Sequence, residues 1–371
     1  MALSRPVLLL VCAASVALNV WVLERWPFSP LGGPQDYLVY YVGGSLVGTP
    51  QIFDRDAQIA VQQRAGLRPA PSFLWMRLPF YALIARPFTR FSYPAGMLLW
   101  KLLSLLLVGA AVWATPAPKG WTALAFAVSL PLWATFLLGN DGALMLFLVA
   151  LFARSYVAGG DLAAGFTLGA IAAAKPHLVP FVFLALLLGR RWKVIGPACL
   201  SDGALVAVCF ALQGAGWPSR WLQFLATAGV NPDRQYMPNL AGMLLLWDSG
   251  RISILAGIAV ALWFAWISRR TTELPPALTA AAGMLAAIAV SPHSYTYDYA
   301  LPLPLLLAAA AKSPESAKWA GCFALPYIYL PLSYGVVVVG PALVVTSVLA
   351  LLYFAPREFH RARAPYSTMR L

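Results

Sequence analysis

The chain of 371 residues is 61% hydrophobic and only 11% charged, which excludes an ordinary soluble globular protein. Its formal net charge of +13 would suit a nucleic-acid-binding protein, but the sequence contains no soluble basic domain. Arginines and lysines that flank membrane spans and meet anionic lipid headgroups explain the charge more simply. We therefore predict an all-α polytopic membrane protein, with a single domain over residues 1–371, that binds membrane lipids and no nucleic acid.

Hydrophobic segments follow one another along almost the whole chain. A helix needs about 20 apolar residues to cross about 30 Å of hydrocarbon, and helices are the expected spanning element for such segments. The first segment lacks a strong basic start and an obvious small-x-small cleavage site, the marks of a signal peptide, so we interpret it as a span. About twelve spans are predicted on this basis, several of them short: roughly Pro6–Trp26, Pro94–Ala114, Gly120–Leu138, Gly142–Val157, Leu162–Ala174, Pro176–Leu188, Val194–Leu212, Ile252–Ile267, Pro275–Val290, Tyr299–Ala311, Trp319–Leu332 and Gly335–Phe354.

Clusters of Lys and Arg indicate the orientation of these spans. The clusters at Arg190–Lys193 and Arg269–Arg270 and those nearer the C-terminus follow even-numbered spans, and positive charge favours the cytoplasmic side. Both termini are then predicted to be cytoplasmic, including a basic tail at 356–371. The polar candidate residues described below are predicted to lie at the outer face.

Two long non-spanning regions, 27–93 and 213–251, interrupt the short loops and are predicted to lie on the outer face. Long loops often carry function. In the first, the polar stretch 58–64 predicts an interfacial helix, and Asp54 and Asp56 are interpreted as caps of a surface helix rather than as metal ligands. We interpret this loop as a lid or platform, not as a separate domain.

Asp36 lies just beyond the first span, in the sequence Gln35–Tyr41. It places a carboxylate at the mouth of a membrane-embedded chain. A carboxylate in that place is a candidate general base, a role that requires reach to the acceptor and partial shielding from water.

Lys175 interrupts the apolar stretch Ala163–Gly189 and is followed by Pro176. Proline removes a helix hydrogen bond and disfavours helical geometry in the preceding residue, so we expect two short helices with Lys175 at the tip between them. A lysine beside a helix N-terminus suits a phosphate or pyrophosphate group. The structural alternative is an ion pair of Lys175 with Asp36 or Asp141.

Three further outer-face residues have both a functional and a structural interpretation. His293, which follows Pro292 among tyrosines, fits sugar or phosphate binding but equally an aromatic belt. Asp298 would be costly facing lipid, so it is predicted to face the cavity and to bind sugar hydroxyls or pair with Arg234. Asn239 either binds sugar or caps a helix.

Several short motifs follow one another in a characteristic order and spacing. They are Asp36-Tyr37 with Tyr40-Tyr41, Gly139-Asn140, Gly165 and Gly169 through Ala174-Lys175-Pro176 to Arg190-Arg191-Trp192, Asn239-Leu240-Ala241-Gly242, and Ser291-Pro292-His293-Ser294-Tyr295 with Tyr297-Asp298-Tyr299. Together they resemble the bacterial glycosyltransferase family 87 of polyprenyl-phosphate-dependent sugar transferases, which includes the mannosyltransferase that elongates phosphatidylinositol mannosides. The resemblance covers most of the chain. One departure is that the family commonly has Gln where this chain has Asn140.

The resemblance implies the type C glycosyltransferase fold in the cell membrane, with the active site on the periplasmic or extracytoplasmic side. It implies an inverting hexosyl transfer from a polyprenyl-phosphate sugar, with mannose as the first expectation and glucose, galactose or arabinose open. The acceptor would be a glycolipid, a polyprenyl-linked intermediate or a protein. Neither a metal nor another cofactor is expected.

Within that mechanism Asp36 is the expected catalytic base. A second group, Lys175 with His177 and His293, is expected to bind the donor phosphate, whose charge grows as the glycosidic bond breaks. The candidate substrate-binding residues are Tyr40, Asn140, Asp141, Asn239 and Asp298.

A transporter or lipid flippase is the alternative, because it would also combine about twelve spans, buried charges and a proline-broken hairpin. Transporter halves are expected to match each other. Here the Lys-Pro break occurs once, with no second Lys-Pro break to match it. A family member that has lost catalysis is a third possibility, against which the retained Asp36 and Lys175 argue.

Overall fold

The computed structural model describes residues 4–24, 35–227, 237, 239–247, 251–270 and 275–312. Within these ranges the chain is helical and contains no strand, in agreement with the predicted all-α class. The predicted spans at 319–332 and 335–354 and the basic tail at 356–371 lie outside them. The α-helices are α1 (Arg5–Glu24), α2 (Tyr37–Leu46), α3 (Arg55–Arg64), α4 (Pro79–Ala85), α5 (Tyr93–Ala114), α6 (Lys119–Val128), α7 (Leu130–Leu138), α8 (Gly142–Val157), α9 (Asp161–Ala174), α10 (Pro180–Leu188), α11 (Trp192–Gln213), α12 (Trp217–Thr227), α13 (Leu240–Trp247), α14 (Arg251–Arg270), α15 (Pro276–Val290) and α16 (Leu303–Ala310).

Several of these helices are suited to a membrane. Among the described residues, α1, α5 and α11 are long and apolar enough to cross one, and α6 with α7 meets the same test as a pair bent by 66°. The helices α8, α9 and α15 are apolar but shorter. The molecule thus has the composition and helix lengths of a membrane protein, while the number of about twelve spans and the cytoplasmic termini stay predictions.

The predicted span at Gly120–Leu138 is not one straight helix. α6 ends before Ser129, which is extended, and α7 begins with Pro131 in its first turn. Proline is tolerated in the first turn of a helix but not in its interior. A second helix therefore starts just ahead of Pro131, and the segment bends.

The chain also breaks at Lys175, where the Lys-Pro sequence predicts a break. Lys175 has φ −138° and ψ 75°, and a short 3-10 helix (Pro176–Leu178) separates it from α10. α9 packs mainly against α8 and α11, whereas α10 packs mainly against α14 and α15. Lys175 therefore lies at the junction of two helices with different neighbours.

The most extensive helix contact joins α9 to α11. A Cβ atom on Gly165 would lie 2.4 Å from the carbonyl oxygen of Val194, and one on Gly169 would lie 2.2 Å from that of Ala198. Small residues allow helix backbones to approach this closely. The two glycines thus set the distance between these helices.

The described part of the region 27–93 folds into short helices. Asp54 caps α3 by accepting a hydrogen bond from the N–H of Ala57 at 2.8 Å, as predicted. Gln58 of α3 is fully buried, and its Nε2 donates to the carbonyls of Ile52 (2.7 Å) and Trp75 (3.2 Å), while its Oε1 accepts from the N–H of Trp75 (2.6 Å). The polar stretch is therefore a helix whose buried glutamine holds the segment that follows it.

Charged side chains lie at two opposite ends of the helix bundle. α8 begins beside Asp141 and α9 ends beside Lys175, whereas Asp161, at the opposite end of α9, lies 3.4 Å from Arg191. The 16 residues of α8 separate its two ends by about 24 Å. The polar candidates and the Arg190–Lys193 cluster thus lie at opposite ends, as the charge distribution predicts.

Candidate active site

Side chains from five separate segments meet at one end of the bundle. They come from the start of α2, the loop before α4, the turn before α8, the break after α9 and the 3-10 helix Thr296–Ala300. We call Arg77, Asp141, Lys175 and Asp298 the ion cluster. Asp36 lies beside it, within electrostatic reach of three of its members.

Asp141 is the centre of the ion cluster and is buried. Its Oδ2 accepts hydrogen bonds from the Arg77 guanidinium and, at 2.6 Å, from the Tyr81 hydroxyl, while its Oδ1 lies 3.3 Å from Nζ of Lys175. Asp141 directly precedes α8, but its side chain does not cap the helix. Both carboxylate oxygens are therefore available to the two cations. Burial alone raises the pKa of Asp141, but Arg77 and Lys175 hold it well below its usual range. The carboxyl group therefore stays ionised.

Lys175 is shared between two carboxylates. Its Nζ donates to Oδ1 of Asp298 at 2.8 Å in addition to the contact with Asp141, and it lies 5.3 Å from the ring centroid of Tyr297. The ion-pair interpretation with Asp141 is confirmed by this geometry. The second anion is Asp298 rather than Asp36, and Arg234, the alternative partner predicted for Asp298, lies outside the described residues.

Asp36 is held by Asn140, which follows Gly139 in the turn between α7 and α8. Nδ2 of Asn140 donates to Oδ2 of Asp36 at 2.9 Å, and Oδ1 of Asn140 accepts from the N–H of Gly142 at 3.1 Å, which fixes the amide. Gly139 has φ +66°, and a Cβ there would lie 2.9 Å from Cβ of Tyr37. The glycine therefore permits both the turn and the close approach of α2.

The ionisation of Asp36 differs from that of Asp141. Burial raises the pKa of Asp36 to about 6, although the Asn140 hydrogen bond and the charge of Arg77 lower it. A base works best when its pKa lies near the operating pH. Asp36 is therefore mostly ionised at neutral pH and still able to take up a proton.

Aromatic rings pack against the ion cluster. Tyr40 is buried, its hydroxyl oxygen accepts from the backbone N–H of Asp141 at 3.3 Å, and its ring stacks on Trp100 with 5.1 Å between centroids. Cζ of Arg77 lies 5.2 Å from the ring centroids of both Tyr40 and Tyr81, a cation–π geometry. These contacts hold the guanidinium and the turn before α8 in place.

The two candidate histidines lie together. The ring centroids of His177 and His293 are 6.0 Å apart in an edge-to-face arrangement, and both rings lie within electrostatic reach of Lys175 and Asp298. Among the described residues, Nε2 of His177 is buried without a hydrogen-bond partner. The histidines thus border the ion cluster on the side of Asp298.

Asn239 uses its amide for backbone contacts. Its Nδ2 donates to the carbonyls of Ile288 and Ser291, each at 2.8 Å, and its Oδ1 accepts from the N–H of Gly242 at 2.7 Å. These bonds fasten the start of α13 to the end of α15, which agrees with the helix-capping interpretation. That Asn239 binds sugar stays a prediction.

Sequence reasoning missed Arg77, Tyr81 and Tyr297 as site residues. Arg77 is a single cation inside the aromatic stretch Phe73–Tyr81 of the region 27–93, and that pattern was the available signal. No group of three or more His, Cys, Asp or Glu side chains arranged to hold a metal occurs among the residues described above.

Comparison with known proteins places the chain in a family. The model of glycosyltransferase family 87 matches residues 78–292, which include Asp141, Lys175 and His177, whereas Asp36 and Asp298 lie outside the match. Neither the curated proteins nor the solved structures contain a match. Since the matched region covers more than half of the 371 residues, the chain belongs to glycosyltransferase family 87.

Proposed function

We propose that the protein transfers a hexose, with mannose as the first candidate, from a polyprenyl-phosphate sugar to a hydroxyl of a glycolipid or other envelope acceptor. The reaction takes place at the outer face of the cell membrane. Membership of family 87 supports a glycosyltransferase over the transporter or flippase alternative.

The observation that carries the proposal is that a carboxyl group with a pKa of about 6, Asp36, lies near two cations, Arg77 and Lys175. Asp36 is half-buried, accepts a hydrogen bond from Asn140 and lies near Arg77 and Lys175. A glycosyl transfer from a phosphate needs a base at the acceptor and positive charge at the leaving group. Both lie at the same end of the bundle.

The chemical step balances without further reactants. The acceptor oxygen attacks the anomeric carbon, the bond from that carbon to the phosphate oxygen breaks, and the acceptor proton passes to the Asp36 carboxylate. Polyprenyl monophosphate leaves, and Asp36 returns the proton to water. A single displacement inverts the anomeric carbon, and a phosphate leaving group needs no general acid.

The role of Lys175 combines its two interpretations. In the structure it is paired with Asp141 and Asp298. When the donor binds, the ammonium group of Lys175 would be shared between these two carboxylates and the phosphate. His177 and His293 would lie beside the phosphate. Positive charge held in place before the reaction stabilises the growing negative charge of the leaving group.

The test is sugar transfer by the purified protein in nanodiscs, with labelled polyprenyl-phosphate-mannose and a membrane-lipid extract. Asp36→Asn is expected to reduce transfer about a hundredfold or more, the usual scale of general-base catalysis. The control is Asp56→Asn, which removes an exposed acid from the same loop and is expected to transfer normally. Equal transfer by Asp36→Asn and wild type would remove Asp36 as the base, and no transfer by wild type with any polyprenyl-phosphate sugar would refute the donor class.

A further inference from the structure

The ion cluster contains a charge imbalance that Arg77 corrects. Lys175 is in contact with two carboxylates, Asp298 at 2.8 Å and Asp141 at 3.3 Å. Those three groups alone carry one net negative charge, and Asp36 adds another when it is ionised. An anionic phosphate would be repelled by such a site, because charge interactions are strong where water is partly excluded.

Arg77 neutralises Asp141, which would otherwise have Lys175 as its cationic partner. Its Nη1 binds Oδ2 of Asp141, and its Nη2 lies 3.5 Å from Oδ1, the oxygen that also faces Lys175. With Arg77 present, the four side chains of the ion cluster sum to zero net charge, and an ionised Asp36 adds a single negative charge instead of a second one. Lys175 is then the cation whose charge can be redirected to a ligand.

The segment that carries Arg77 is held from two sides. Nε1 of Trp221, on α12, donates to the carbonyl oxygen of Met76 at 2.8 Å, and Gln58 on α3 bonds both the N–H and the carbonyl of Trp75. Both outer loops therefore contribute to the position of this arginine. The side chain of Arg77 is 24% exposed, against 4% for Lys175, so it is the more accessible of the two cations.

We propose that Arg77 is a positioning and specificity residue, which neutralises Asp141 and thereby leaves Lys175 available for the phosphate of an anionic lipid. The inference rests on the proposed function for the identity of that lipid as a polyprenyl phosphate. It assigns to the first outer loop a part in recognition of the donor in addition to the base Asp36.

Binding of a polyprenyl monophosphate, compared with the uncharged polyprenol, tests this role without requiring transfer. The full-length protein in phosphatidylcholine nanodiscs would be titrated with each lipid. Arg77→Gln is expected to weaken binding of the phosphate by about tenfold or more, the effect of one partly screened charge, and to leave binding of the polyprenol unchanged. The control Arg90→Gln removes an exposed arginine of the same outer loop and is expected to bind both lipids as wild type does.

Two further variants separate neutralisation from a general structural role. Arg77→Lys keeps the charge and is expected to retain binding of the phosphate within about threefold. The double variant Arg77→Gln with Asp141→Asn restores zero net charge and is expected to recover much of the lost affinity. If Arg77→Lys loses as much as Arg77→Gln, or if the double variant binds no better than Arg77→Gln, the neutralisation role is wrong.

Transfer kinetics supply a second readout. Because Arg77 acts through binding of the donor, Arg77→Gln is expected to raise KM for the donor more than it lowers kcat. If wild type prefers the polyprenyl phosphate over the polyprenol but transfers no mannose, the proposed sugar is wrong and the role of Arg77 stands. If wild type shows no preference for the phosphate, the role of Arg77 is overturned.

Discussion

At the scale of single residues, two aspartates of one site differ in charge state because their neighbours differ. Asp141 contacts two cations and stays ionised, whereas burial of Asp36 outweighs its one amide hydrogen bond and its distant cations. Environments that move the pKa values of nearby acids apart are typical of catalytic sites. This difference supports the proposed roles of the two residues, proton transfer for Asp36 and charge balance for Asp141.

The first prediction concerns pH. If ionised Asp36 is the base, transfer rises with pH through about 6, the pKa of this group. Asn140→Ala removes the hydrogen bond that stabilises the ionised form, so the midpoint is expected to move upward by about one pH unit. Asn140→Gln keeps the amide and is expected to shift the midpoint less. A profile of transfer rate against pH for the three proteins checks this, and a downward shift in Asn140→Ala would contradict it.

The second prediction concerns the effect of the Asp36 carboxyl group on the stability of the folded protein. The folded pKa of Asp36 is raised to about 6, above the ordinary value of about 3.9, so the folded state loses relative stability as pH rises through about 6. Asp36→Asn lacks this titration. Its thermal unfolding midpoint at pH 7.5 is expected to exceed that of wild type, and the difference is expected to shrink toward pH 5.

Thermal unfolding in detergent at several pH values measures this difference. Asp56→Asn serves as the control, because Asp56 is exposed and its removal is expected to produce no such pH-dependent gain. A variant Asp36→Asn that is less stable than wild type at pH 7.5 would show that the carboxylate contributes to folding instead of weakening it.

At the scale of elements, close helix contacts place the site residues. Lys175 directly follows α9, so its position depends on how α9 lies on α8 and α11. Gly165 and Gly169 allow the approach to α11, and Gly139 allows the approach of α2 to the turn before α8. Helix contacts made through glycine leave no space for a larger side chain.

The third prediction tests the contact of α9 with α11. Gly169→Ala places a methyl group 2.2 Å from the Ala198 carbonyl oxygen and is expected to destabilise the protein by about 1–3 kcal/mol, the usual cost of overpacking. It is also expected to reduce transfer by displacing Lys175. The control Gly203→Ala, on α11, adds its methyl group to open space and is expected to be neutral or slightly stabilising.

Thermal unfolding and transfer are measured on both variants. Equal stability of Gly169→Ala and Gly203→Ala would mean that the helices can separate without cost, and that the glycine does not set their distance.

At the scale of the whole molecule, charge is distributed along the bundle in a way that suits a membrane. The ion cluster lies at one end of α8 and α9, and Asp161 with Arg191 lies near the other. The leucines of α1, α5 and α14 that remain exposed lie on helices apolar enough to meet lipid. We propose that the ion cluster faces the outside of the cell.

The fourth prediction tests that orientation. In a protein without native cysteines, Asp56→Cys is expected to react with a membrane-impermeant thiol reagent added to intact cells. Lys193→Cys is expected to react only after the membrane is permeabilised, because its cluster is predicted to be cytoplasmic. Both positions are exposed in the fold, so access depends on the membrane alone. Reaction in the opposite order would invert the proposed topology.

Features that depend on local sequence were predictable. Long apolar segments indicate membrane helices whatever their partners, and proline breaks a helix through its own ring, so the break at Lys175 was predicted. The same reasoning ought to have found the bend at Ser129, since Pro131 carries the same signal. Asp54 was recognised as a cap because capping requires only the next few residues.

The sequence by itself determined the all-helical class of this protein, its apolar segments, the proximity of Lys175 to a helix end and the family motifs. Only the tertiary structure decided that Asp298 is the second partner of Lys175, that Arg77 binds Asp141 and that Asn140 holds Asp36. These pairs join positions that are far apart in the chain. Several buried anions and cations could have paired in different ways, and the packing of helices around α8 and α9 selected one arrangement.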